Sequence, residues 1–112
     1  MAEFRLYAVR ASDIDEANEL FQRTTGMELE LHRADFRGFY FGSGVHALPV
    51  DIVICDNVDY DDEELIDDGL AEPQFPQHKI LLYLNQADLM QKETDLVDAH
   101  PEIFTKLRVK IA

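Results

Sequence analysis

At 112 residues, with 46% hydrophobic, 29% charged and 10% aromatic content, the chain is long enough for one hydrophobic core and too rich in aromatic and β-branched residues for a disordered protein. Its 23 acids against 10 bases give a formal charge of −13 at pH 7, which argues against direct binding to nucleic acid or to anionic membranes, since both attract Lys and Arg. No run of about 18 apolar residues and no basic-then-apolar leader is present, so the expectation is a cytoplasmic chain without a membrane span.

Phe4 to Val9 alternates as a strand, with Phe4, Leu6 and Ala8 on one face and Tyr7 and Val9 partly covered on the other. A helix is predicted over about residues 13–24. Ser12 or Asp13 caps it, Asp15 and Glu16 suit its positive end, Ile14, Ala17, Leu20 and Phe21 recur at helical spacing, and Gly26 stops it. Met27 to His32 has the most regular alternation in the chain, with Met27, Leu29 and Leu31 inward and the carboxylates and His32 outward. A turn near Ala34-Asp35 joins it to a strand over Phe36 to Phe41, making a hairpin.

Gly42-Ser43-Gly44 and Pro49 bracket a loop before the β-branched strand Val50 to Cys55. A short helix starting at Asp59 or Asp61 and running to Asp68, anchored by Leu65 and Ile66, ends at Gly69, after which Pro73 and Pro76 impose an irregular passage. Lys79 to Leu84 is nearly continuous apolar sequence, the mark of a middle strand covered on both faces. A helix is predicted over Ala87 to Ala99, with Pro101 beyond it. The last segment fits a helix to about Leu107 followed by a short strand or tail. The order β-α-β-β-β-(short α)-β-α-β predicts an α+β fold in a single domain over 1–112: a mainly antiparallel sheet of about five strands with two main helices on one face. Strand order is not encoded in the pattern.

The acidic charge is placed rather than spread. Residues 1–37 hold 8 acids against 5 bases and residues 79–112 hold 5 against 5, whereas between Arg37 and Lys79 there are ten acids and no base. Within that stretch the acidic surface is residues 56–72, a loop or short helix in which Val58, Tyr60, Leu65, Ile66 and Leu70 are interleaved with carboxylates. A solvated loop without a partner needs no such apolar groups. A docking element does: carboxylates steer the encounter and fix register, while Tyr and aliphatic groups supply buried area. The predicted contacts are Asp59, Tyr60, Asp61, Asp62, Glu63, Glu64, Asp67 and Asp68. Tyr40 and Arg37 extend the surface if only one face of the sheet carries helices.

A calcium loop is disfavoured. Asp59, Asp61 and Glu63 take its first, third and fifth positions, but Glu64 stands where Gly is required and Leu70 where a bidentate Glu is required. His32, His46, His78 and His100 show no metal-ligand spacing with one another or with Cys55, and the apolar run before Cys55 predicts a buried thiol. Gly42-Ser43-Gly44 lacks the Lys-Ser/Thr of a phosphate loop. Neither a metal nor a cofactor is predicted, and the chain is not expected to be an enzyme.

In being small, strongly acidic and single-domain, the chain resembles bacterial immunity proteins that inhibit toxin nucleases. The likeness is one of properties, without a shared motif. It implies a basic protein partner, such as a toxin nuclease domain, whose active or nucleic-acid-binding surface the acidic segment occludes. Alternatives are a nucleic-acid mimic that inhibits a defence nuclease, a small α+β enzyme or ligand-binding module, and a subunit kept soluble by its acidic loop.

Overall fold

The computed structural model describes residues 2–34, 38–42, 51–57, 72 and 74–111. In chain order the elements are β1 (Glu3–Val9), α1 (Ile14–Thr25), β2 (Glu30–Ala34), β3 (Gly38–Gly42), β4 (Asp51–Asp56), β5 (Ile80–Asn85), a 3₁₀ turn (Ala87–Leu89), α2 (Gln91–Asp98) and β6 (Phe104–Ile111). The α+β expectation holds, with six strands where about five were predicted. All neighbours are antiparallel, in the order β2-β3-β4-β5-β1-β6. Strands β2 to β5 form a meander, and β1 and β6 are added beside β5.

Local chemistry sets the first helix. The Asp13 carboxylate accepts from the Glu16 N–H at 2.8 Å, Glu16 in turn accepts from the Ser12 N–H at 3.0 Å, and Gly26 at φ 78° donates to the Gln22 carbonyl at 2.7 Å. Each of the first four orphan N–H groups that a cap satisfies contributes about 1 kcal/mol. The left-handed conformation at position 26 is open to glycine without a steric penalty.

The main core lies between the sheet and the helices. Tyr7, Val9, Ile52, Ile54, Leu82, Leu84 and Phe104 from the strands meet Ala17 and Phe21 of α1 and Val97 of α2, and the Phe21 and Phe104 rings meet edge to face at 6.5 Å. Burying a side chain of this size contributes roughly 1.5–3 kcal/mol. A smaller cluster on the opposite face joins Leu6, Val53, Cys55 and Leu81, with Tyr40, Phe75, Tyr83 and Leu107 packed against it. Strand β5 is therefore covered on both sides, as its apolar run predicts. Tyr7 departs from the expectation of partial cover: it is fully buried.

A polar network ties β1 to α2. The Arg5 guanidinium bonds Glu3 and the Asp98 carboxylate (2.7 Å), and the Tyr7 hydroxyl donates to Asp98 at 2.8 Å. Burial, reinforced by Asp98, pushes the Tyr7 hydroxyl up to about 12. Burial pulls the other way on Arg5, but hydrogen bonds to Tyr7 and Glu3 hold its proton more tightly than usual.

Three boundaries differ from the sequence reading. Met27 and Leu29 pack on the core as irregular chain, and β2 starts only at Glu30, where Gly42 of β3 gives it a partner. As the edge strand it leaves Leu31, expected inward, 56% exposed. The helix predicted over Ala87 to Ala99 is broken at Met90 into a 3₁₀ turn and α2. The predicted C-terminal helix is β6: seven residue pairs with β1, interrupted by one register shift after Leu6, outweigh the helical spacing of Phe104, Leu107 and Ile111. The short helix predicted from Asp59 or Asp61 to Asp68 lies outside the described residues.

Candidate functional site

The eight predicted contacts, Asp59, Tyr60, Asp61, Asp62, Glu63, Glu64, Asp67 and Asp68, all lie outside the described residues, as does Arg37. What is described is the place where the acidic segment leaves the sheet and rejoins it. It leaves at Asn57, just beyond β4, and rejoins at Glu72, before the turns that lead into β5.

These two residues are held together. The Asn57 side chain, only 3% exposed, accepts from the Glu72 N–H at 2.7 Å through Oδ1. Its Nδ2 donates to the carbonyls of His78 (3.0 Å), Phe75 (3.1 Å) and Glu72 (3.4 Å). The Asn57 backbone N–H donates to the Lys79 carbonyl at 2.8 Å, which continues the β4–β5 ladder by one step. A buried amide that satisfies one backbone donor and several carbonyls does what a strand partner would do where no strand exists.

Glu72 adds a second tie. Its carboxylate accepts from the Tyr83 hydroxyl at 2.8 Å and takes a two-pronged contact from Arg108, at 3.0 and 3.1 Å, so that it spans from β5 to β6 on the face away from the helices. Paired nitrogens of one guanidinium on one carboxylate fix orientation as well as charge. The contact with Glu72 holds the Arg108 proton more tightly than usual, and burial, with Glu72 adding to it, pushes the Tyr83 hydroxyl far above its ordinary value.

The first and last acids of residues 56–72 are thereby withdrawn from the surface the sequence suggests. Glu72 is spent on Tyr83 and Arg108. Asp56 stands at the end of β4 on the side of Ile52 and Ile54, where burial, with the Asp13 carboxylate adding to it, raises its pKa. Tyr40 does lie on the face opposite α1 and α2, half-buried, stacked on His32 at 5.3 Å between ring centres and opposite Cys55 in register.

Cys55 is buried, as expected from its apolar neighbours. Among the described residues no three His, Cys, Asp or Glu side chains gather to hold a metal ion, and no helix is long and apolar enough to cross a membrane. The roles of Asn57, Tyr83 and Arg108 escape sequence reasoning, because Asn57 reaches its partners over 15, 18 and 21 residues and Tyr83 and Arg108 reach Glu72 over 11 and 36, separations that no helical or strand period encodes. No protein-family model matches the chain, and comparison with curated proteins and with solved structures gives no match either.

Proposed function

We propose that the chain is a small acidic binding protein that neutralises a basic protein partner by occluding its active or nucleic-acid-binding surface, in the manner of a bacterial immunity protein against a toxin nuclease domain. The observation that carries this reading is the closed base of the acidic segment: Asn57 and Glu72 bond each other and are tied to β5 and β6. A segment whose ends are fixed loses less entropy on docking than a free tail, so more of its contact energy appears as affinity. Its carboxylates attract the Lys and Arg that a nuclease gathers around its phosphate site, and they raise the encounter rate.

The test is charge reversal at the centre of the segment. Asp61→Lys, Asp62→Lys, Glu63→Lys and Glu64→Lys together should slow association with a basic nuclease domain at least tenfold and flatten its salt dependence, with an unchanged far-UV spectrum. An on-rate equal to that of the parent chain would sink the proposal.

A further inference from the structure

A hollow of about 550 Å³ opens at the end of the sheet where β1 finishes and β5 and β6 begin. Its polar lining includes Arg10, His78, Lys79 and Thr105, and Val9, Ile80 and Pro101 form apolar wall. Arg10 follows the last residue of β1 and Lys79 precedes the first of β5, so both stand at this end of the antiparallel β1–β5 pair. The backbone at both is pinned: the Arg10 N–H donates to the Ile103 carbonyl at 2.8 Å, and the Lys79 carbonyl accepts from Asn57 at 2.8 Å. The two cations therefore stem from fixed backbone positions just beyond the ends of neighbouring strands.

Arg5 is bonded to Glu3 and Asp98, Lys106 to Asp98 and Arg108 to Glu72, whereas Arg10 and Lys79, like Arg23, Arg33, Lys92 and Lys110, have no ion pair among the described residues. The one acid among the described lining residues, Glu102, lies 3.1 Å from the His100 Nδ1 and keeps its negative charge, its pKa lowered by hydrogen bonds from its own backbone and from His100. Arg10 and Lys79 thus outnumber the acids of the described lining by one charge, beside an apolar wall. The hollow's volume falls in the range of small-ligand sites, which combine apolar lining with a few convergent polar groups.

We propose that this hollow binds a small organic phosphate. A phosphate monoester carries nearly two negative charges at neutral pH and three acceptor oxygens. The Arg10 fork matches two of those oxygens, Lys79 supplies a second charge, and the Thr105 hydroxyl is a further donor. The organic part lies against Val9, Ile80 and Pro101.

The test uses phenyl phosphate as the probe and benzoate at equal ionic strength as the monoanionic control, both titrated into the labelled chain at pH 7.5 and followed by amide chemical shifts. Phenyl phosphate should give saturable shifts at Arg10, Lys79 and Thr105 and bind at least tenfold more tightly than benzoate. The exposed pair Arg10→Ala and Lys79→Ala, with a spectrum otherwise native, should weaken it at least tenfold. Absence of saturation, equal binding of benzoate, or undiminished binding by the double variant would each overturn the proposal. The site is independent of the partner reading: reversing charges at 61–64 should leave phenyl phosphate binding in place.

Discussion

Asn57 is the residue on which the base of the acidic segment turns. Its amide supplies one acceptor to Glu72 and donors to three carbonyls, all in a site from which water is nearly excluded. Truncation leaves those groups without partners, and each unsatisfied buried group costs about 1–3 kcal/mol. Asn57→Ala should therefore destabilise the chain by roughly 2–4 kcal/mol in urea unfolding. Asn57→Asp separates the two halves of the amide. It keeps the acceptor for Glu72 but turns a carboxylate oxygen towards the three carbonyls, so its loss at pH 7 should exceed that of Ala and shrink as the pH falls and the new carboxyl protonates. A variant within 0.5 kcal/mol of the parent would mean that the amide bonds are replaced by solvent and that the base is not rigid.

At the scale of elements, what could be read in advance tracks how each element is stabilised. Helix α1 and strands β4 and β5 owe their form to their own residues: the Asp13 cap and Gly26 stop in one case, unbroken apolar runs in the other two, β-branched in β4 and leucine-rich in β5. Strands β2 and β6 are edges, whose extent is decided by a partner elsewhere in the chain; so Met27 and Leu29 fall outside a strand and Phe104 falls inside one. The acidic segment was legible as charge, but its anchoring was not, because Asn57 and Arg108 reach Glu72 only after the sheet has formed. The junction of β4 with α1 makes a test at this scale. In the folded chain burial and the Asp13 carboxylate raise the Asp56 pKa above its ordinary 3.8, so the fold binds that proton more tightly than the unfolded chain does. Asp56 therefore withdraws stability as the pH climbs from about 3.8 through the raised value, and the full penalty is present at neutral pH. Asp56→Asn should be more stable than the parent at pH 7, with the difference shrinking as the pH is lowered towards 3.8. A pH-independent difference in urea midpoints would refute that coupling.

For the whole molecule the governing quantity is a charge of −13, of which −10 lies in the stretch between Arg37 and Lys79. Self-repulsion of that size disfavours the compact state, while attraction to a basic surface favours the complex, and both are screened over a distance of about 30 Å at 0.01 M salt and about 10 Å at 0.1 M. Added salt should consequently act with opposite sign on the two processes. Between about 10 mM and 300 mM sodium chloride the melting temperature of the free chain should rise by a few degrees, while the rate of association with a basic partner falls. The pairs Arg5–Asp98 and Arg108–Glu72 oppose the first trend; the partly buried Arg5–Asp98 is screened less than exposed charges, while Arg108–Glu72, with Arg108 41% exposed, is screened more. The fourfold reversal at Asp61, Asp62, Glu63 and Glu64 discriminates the sources, since each reversal adds two charges and takes the net from −13 to −5. Its melting temperature should depend less on salt than that of the parent. A salt response unchanged by the reversal would locate the repulsion outside the acidic segment and remove the electrostatic basis for treating that segment as the steering surface.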